Sequence, residues 1–461
     1  MSSAAAGVVD VRRPLVSGTT GDRAPASVTR KTSIPPEWLL LHGIRNMLRS
    51  DDAVVVAGLV DYMYEQYGML RFLSRVVERT RRTLIPPAIT LLGALKGFLL
   101  VRDPAVGGDA LWVARLANER RAIGPYLRQM PELEWREIAI AWSVRPRDIV
   151  RLVGAFVKTA PRIVRITRRL HERYAGYKVL RVAELIGYYM RYKRVLASRP
   201  YSLAVMSSHS NPHGIALNVA ARQARVPTVL ITHGMPVRPV ARLSYDLGVV
   251  HCADAQSTYE EEGCAIARVF LHGRREHLAP LPDVTLRSDL TVGVFLCKDV
   301  NAAQLRALLR RLRDDARVSR IIVRPHPFNM WADLSRWIVE HRDRKVKLSA
   351  DRDIMADVAA CDVVLAGNTS VHIEAVIAGR PSAYVPRFDR AADDMHHLVE
   401  HGLIFPLGDD LGLDPDALLR FYRRPEWQVM LRRFANVDET GAAVAARASD
   451  AMRALAAGVP A

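Results

Sequence analysis

A chain of 461 residues with 49% hydrophobic and 25% charged residues is long enough for two domains and an appendage, which excludes general disorder. Its 66 Lys and Arg against 48 Asp and Glu leave a formal net charge of +18, so the surface attracts polyanions or the anionic face of a membrane. The four cysteines, Cys252, Cys264, Cys297 and Cys361, have neither metal-ligand spacing nor the density of a disulfide framework; a reducing cytoplasm suits them best, with peripheral residence on the inner membrane face left open.

Residues 1–33 are rich in Ser, Ala, Thr and Arg and lack a continuous apolar core, so they read as a disordered leader. Residues 34–199 read as a helical N-terminal region, part of the acceptor lobe or appended to it. Within it, Leu84 to Val101 is the one candidate for membrane contact, but its prolines, glycines and Lys96 favour a buried helix over a spanning one. From Ile149 to Leu170, Arg and Lys interleave with apolar residues, which is simplest as a solvated helix face. No zinc-finger spacing or aromatic RNA-binding signature is present, so no nucleic-acid partner is expected.

After Arg199 apolar runs alternate with helical patterns, the mark of parallel sheets with crossover helices. Leu203–Met206, Val229–Ile231, Leu247–Val250 and Ala267–Phe270 predict strands, and Ile215–Arg225 a helix; 200–282 is assigned to a first Rossmann-like domain that takes the acceptor. Pro280 to Asp283 marks the crossing. Residues 283–461 are assigned to a second, nucleotide-binding domain with C-terminal helices. Its predicted strands are Thr291–Leu296, Arg320–Val323, Val346–Leu348, Val363–Ala366 and Ser382–Val385. Helices are expected after an Asn301 cap, from Leu334 to His341 and from Ile354 to Ala360. The fold class is α/β, two doubly wound units whose strand-end loops face each other across a cleft.

Four strand-end loops carry unusual chemistry. In Gly367-Asn368-Thr369-Ser370, a strand runs into a helix whose first N–H groups lack internal partners, so Asn368, Thr369 and Ser370 suit a nucleotide phosphate, and Glu374 suits ribose hydroxyls; an ordinary capped connection explains the pattern equally well. In Thr232-His233-Gly234-Met235-Pro236, His233 is suited to take a proton from an acceptor hydroxyl, and Gly234 allows a sharp turn or close approach. In Arg324-Pro325-His326-Pro327, two prolines restrict His326, which would stabilise charge on a departing nucleotide, with Arg324 adding donors. Ser208, His209 and Asn211 occupy a fourth loop that either orients an acceptor or is a polar turn. The adjacent pairs Asp393-Asp394 and His396-His397 read as a charged face, so no metal is expected, and Glu260-Glu261-Glu262-Gly263 reads as a helix end.

In their order and spacing, His233-Gly234, Arg324-Pro325-His326-Pro327 and Thr369-Ser370 to Glu374 resemble the two-domain GT-B transferases of bacterial surface polysaccharide assembly. CDP-glycerol glycerophosphotransferases and capsule Kdo- and sialic-acid-transferases are the nearest in kind, and the similarity covers about Tyr201 to Leu407. The resemblance implies a metal-independent glycosyltransferase without a resident cofactor. It would move a sugar from a CMP- or CDP-linked donor to a glycan or lipid-linked acceptor, with peripheral contact to an anionic membrane left open. It assigns His326, Thr369 and Ser370 to donor phosphate, Glu374 to ribose and His233 to the acceptor. A polyol-phosphate transferase remains an alternative. The segment Gly367 to Ala375 is also similar to UDP-sugar enzymes, including 2-epimerases, which leaves the donor nucleotide open.

Overall fold

The computed structural model describes residues 79, 85–101, 108–140, 150, 178–209, 211–236, 238, 240–275, 289–297, 300–326, 344–349, 353–389 and 393–459. The expected leader, the 149–170 helix apart from Val150, the Pro280–Asp283 crossing, the Leu334–His341 helix and Pro327 lie outside the described residues.

The chain begins with α1 (Ile85–Leu99), β1 (Ala110–Val113), α2 (Ala117–Arg128), β2 (Trp135–Glu137) and α3 (Lys178–Ala197). It continues through β3 (Leu203–Met206), α4 (Pro212–Gln223), β4 (Thr228–Ile231), β5 (Ser244–Tyr245), β6 (Leu247–Val250) and α5 (Ala253–Glu261). Then come β7 (Ala265–Ile266), β8 (Val269–Leu271) and β9 (Gly273–Arg275). The second half holds β10 (Leu290–Phe295), α6 (Ala302–Asp314), β11 (Val318–Arg324), β12 (Val346–Leu348), α7 (Ile354–Ala360), β13 (Val363–Ala366), α8 (Val371–Ile377) and β14 (Ser382–Tyr384). It closes with β15 (Phe405–Pro406), α9 (Pro415–Tyr422), α10 (Pro425–Phe434), β16 (Asn436–Thr440) and α11 (Gly441–Ala456).

Two parallel six-stranded sheets result, ordered β2-β1-β3-β4-β6-β8 and β12-β11-β10-β13-β14-β15. This is the pair of Rossmann-like α/β units that the sequence predicts. Central strands are buried on both faces: Leu203 to Met206, Thr228 to Ile231 and Val363 to Ala366 are all buried, which is why they read as continuous apolar runs. Asn301 caps α6 by accepting from the N–H groups of Ala303 and Gln304, and Leu305, Leu308, Leu309 and Leu312 form its buried stripe. Gln304 does not return a bond to the cap; its amide donates to the Pro386 carbonyl at 2.9 Å.

The first sheet departs from its expected bounds. Strands β1 and β2 arise within the region read as helical, and β1 pairs directly with β3. The sheet therefore draws on residues well before 200. One face is covered by α2, through Ile123 and Tyr126, together with the far end of the chain, since Val444, Ala445, Ala448, Met452 and Leu455 of α11 share the same core with Leu203, Val205, Val229 and Ile231. The 283–461 segment thus serves both units.

The candidate membrane segment becomes α1, packed against α3 through two glycines. A Cβ on Gly97 would lie 2.1 Å from the Glu184 carbonyl oxygen, and one on Gly187 would lie 2.0 Å from that of Ala94. Ala94, Phe98 and Leu99 are buried there while Leu92 is 61% exposed. Among the described residues, no helix is long and apolar enough to cross a membrane. The four cysteines are buried free thiols.

Candidate functional site

In the second sheet, register fixes where two of the loops emerge. Phe295 on β10 pairs with Arg324 on one side and Ala366 on the other, so the chains leading to His326 and Asn368 leave the same sheet edge about 10 Å apart, two strand spacings.

The turn after β13 is held from beneath. His372 is fully buried; its Nε2 lies 2.9 Å from the Gly367 carbonyl oxygen and its Nδ1 2.7 Å from Ser382 Oγ. A carbonyl only accepts, so Nε2 carries the proton and Nδ1 the lone pair. Burial, opposed by the bond to Gly367, pushes the His372 pKa down to about 4, which keeps the ring neutral. From the other side, Asp389 Oδ2 accepts the Asn368 N–H at 2.5 Å. A Cβ on Gly367 would sit 2.5 Å from that same oxygen, so only glycine lets the carboxyl approach. Burial, with Asp393 nearby and the Asn368 bond opposing, raises the Asp389 pKa to about 6. Local pattern signals neither residue's role: His372 reads as one helical position, and Asp389 follows 21 residues after Asn368.

These contacts revise the expected cradle. Asn368 is tied inward: its N–H goes to Asp389, and its Oδ1 accepts from the Met395 N–H at 2.8 Å. Among the described residues, the N–H groups of Thr369 and Ser370 and the Ser370 hydroxyl make no protein hydrogen bond, while Thr369 Oγ1 accepts weakly from Val371 N–H at 3.4 Å. The helix that follows has seven residues, so individual N–H and hydroxyl donors matter more than a macrodipole. Glu374 is partly exposed on that helix, one turn in. Arg324 also turns inward. Its Nη1 bonds the Asp357 carboxylate and reaches Ser349 Oγ at 3.4 Å and the Asp353 carbonyl at 3.2 Å, anchoring α7 to β11. The expected fork of donors therefore belongs to the scaffold, whereas His326 stands partly exposed at the strand end.

In the first sheet, His233 and the loop after β3 come together. His233 Nδ1 lies 3.2 Å from the Ser207 carbonyl oxygen and 3.2 Å from Ser207 Oγ. The carbonyl requires Nδ1–H, which leaves Nε2 with its lone pair. His209 sits beside it, with Nδ1 2.7 Å from the Tyr259 hydroxyl and the rings edge-on at 5.0 Å. Burial, and then the neighbouring His233, pushes the His209 pKa down to about 3, so it is a neutral hydrogen-bonding group. Ser208 and Asn211 have structural partners: Ser208 Oγ accepts the Asn211 N–H at 3.0 Å, and Asn211 Nδ2 donates to Glu119 Oε1 at 3.2 Å. Gly234 has open space where a Cβ would stand, so close packing does not require glycine there.

The His233 loop also reaches the second half. Met235 packs against the core cluster built around β10, β11 and β13, and its sulfur lies 3.4 Å from Cys252 Sγ. Arg433 on α10 adds a link, bonding Asp254 on α5 through Nε at 2.9 Å and Nη2 at 2.8 Å.

Among the described residues, no group of three or more His, Cys, Asp or Glu is placed to hold a metal. Asp394 instead accepts the N–H groups of Val399 and Glu400, and His397 Nδ1 meets Glu400 at 2.5 Å.

No protein-family model and no curated protein matches the sequence. Solved structures do match in overall arrangement. The calicheamicin glycosyltransferase CalG4 aligns at 16% identity and TM-score 0.47, over 75% of this chain and 98% of its own. The glycotransferase of kitacinnamycin aligns at 11% identity and TM-score 0.46, over 76% and 99%. The S. aureus MnaA-UDP co-structure aligns at 12% identity and TM-score 0.44, over 73% and 94%.

Proposed function

We propose that the protein is a glycosyltransferase that moves a sugar from a nucleotide-activated donor to a hydroxyl acceptor in surface polysaccharide assembly. The observation that carries this reading is the seat of Met235. One loop holds His233 at the edge of the first sheet and packs its next apolar side chain, partly buried, against the core of the second. That contact supports a reading in which the loop carrying the base works together with the second lobe.

In this reading His233 Nε2 takes the proton from the acceptor hydroxyl as its oxygen bonds the anomeric carbon. The anomeric carbon–oxygen bond breaks and its electron pair stays on the donor phosphate. The N–H groups of Thr369 and Ser370, their hydroxyls and His326 receive that charge, and Glu374 takes the ribose. His209, a neutral hydrogen-bonding group, orients the acceptor beside His233. Arg324, Asn368, Ser208 and Asn211 hold the loops that carry these groups. A CMP- or CDP-linked donor is favoured by the sequence resemblance, as is a glycan or lipid-linked acceptor.

The test is thermal stabilisation by CMP, CDP, UDP and GDP. A ligand at a hundred times its Kd adds about 2.7 kcal/mol of stability. Selective stabilisation by cytidine nucleotides is expected; selective stabilisation by UDP would replace the donor assignment, and none by any nucleotide would overturn the transferase reading.

A further inference from the structure

The acceptor side of this site has a cation that the proposed reaction does not use. Arg115 follows β1, whose register places Val113 beside Met206 and, one strand further, Leu230. The loops that carry Arg115, Ser208 and Thr232 therefore leave neighbouring strands at the same sheet edge. The strand that leads into Arg115 lies two strand spacings, about 10 Å, from the one that leads into the His233 loop, within reach of a long side chain.

Among the described residues, several charged side chains near this edge have internal partners. Arg120 bonds Glu137 at 2.5 Å, Arg433 bonds Asp254, and Arg238 lies 3.4 Å from Glu262. Glu119 is completely buried, accepting the N–H groups of Arg115 at 2.5 Å and Leu116 at 3.1 Å through Oε2, and Asn211 Nδ2 through Oε1. That carboxylate locks the backbone of the Arg115 loop to the loop carrying Ser208 and His209. Arg115 itself is exposed, and its guanidinium has no ion-pair or hydrogen-bond partner among the described residues. An unpaired guanidinium on a loop fixed beside the base is a fork for a planar or tetrahedral anion.

We infer that Arg115 binds a carboxylate or phosphate carried by the acceptor near the hydroxyl that His233 deprotonates, so that the substrate class is an anionic glycan. The proposal rests on the transferase reading, and the experiment separates the two. The full chain is titrated by ligand-observed NMR with methyl β-glucuronide, glucose 6-phosphate and the neutral methyl β-glucoside, and in parallel with the nucleotide panel. One or both anions bind about tenfold tighter than the glucoside; Arg115→Gln abolishes that preference, Arg115→Lys retains part of it, and neither changes nucleotide affinity. Equal affinity for all three probes, no detectable binding of either anion, or an anion preference that survives in Arg115→Gln overturns the proposal. Absence of nucleotide binding alongside an Arg115-dependent anion preference overturns the transferase reading alone.

Discussion

His372 Nε2 donates to the carbonyl oxygen of Gly367 across 2.9 Å, so a completely buried imidazole sets the shape of the turn proposed to receive the donor phosphate. Replacing it with Ala removes the bond and leaves the Ser382 hydroxyl facing a cavity. Nucleotide affinity is expected to fall about tenfold, with a stability loss of roughly 2–4 kcal/mol from the cavity and the unmet polar groups. Titration calorimetry and chemical denaturation check the two effects. Unchanged nucleotide affinity in a folded variant would detach His372 from the turn's function.

The same residue makes the fold acid-sensitive. Its folded pKa, about 4, lies below the ordinary value of 6.5, so the unfolded chain binds a proton that the native chain refuses between those values. Stability from this group is complete above pH 6.5 and is lost as pH falls toward 4. At pH 5 the His372→Gln variant should take up about one proton fewer on unfolding than the parent, measured by calorimetry in buffers of different ionisation enthalpy. Equal uptake would contradict the assignment.

Asp389 behaves in the opposite sense. Its pKa rises from 3.8 to about 6, so the native chain holds a proton that the unfolded chain releases. The resulting cost grows as pH rises from about 4 to 6 and is constant above. Asp389→Asn keeps an oxygen for the Asn368 N–H and removes the buried charge. It should stabilise the protein at pH 7.5 by on the order of 2 kcal/mol, with the gain shrinking below pH 5. A gain independent of pH would point to a cause other than ionisation.

His233→Ala should reduce turnover by about 10²- to 10⁴-fold while leaving nucleotide affinity unchanged, because the imidazole is proposed to meet only the acceptor. His326→Ala should do the reverse first, weakening nucleotide binding. Retained turnover in the one, or unchanged affinity in the other, would remove that residue from its role.

Gly187→Ala tests the packing of α1 on α3. Its new methyl would stand 2.0 Å from the Ala94 carbonyl oxygen, a contact relieved only by separating the helices. A loss of at least about 2 kcal/mol is expected in denaturant unfolding.

The strands after residue 200 were legible because doubly buried strands such as Leu203–Met206 and Val363–Ala366 are unbroken apolar runs. The early ones were not: Trp135–Glu137 is only three residues long and partly exposed, so it carries little periodic signal, and β1 sits among strongly helical neighbours. At the site, strand-end position was readable but side-chain direction was not. Arg324 looked like a phosphate ligand until Asp357, 33 residues later, drew its guanidinium inward. Asn368 likewise lost its N–H to Asp389. In both cases the deciding partner is brought by the tertiary fold, which local sequence does not encode.

Helix α11 carries Val444, Ala448 and Met452 back onto strands made more than two hundred residues earlier. On the ribosome the first sheet therefore emerges with one greasy face covered only in part, by Ile123 and Tyr126 of α2 and by Met130, and stays so until residues 441–456 are synthesised. For that interval the nascent chain is a natural client for chaperones, and the two lobes reach maturity together rather than one after the other.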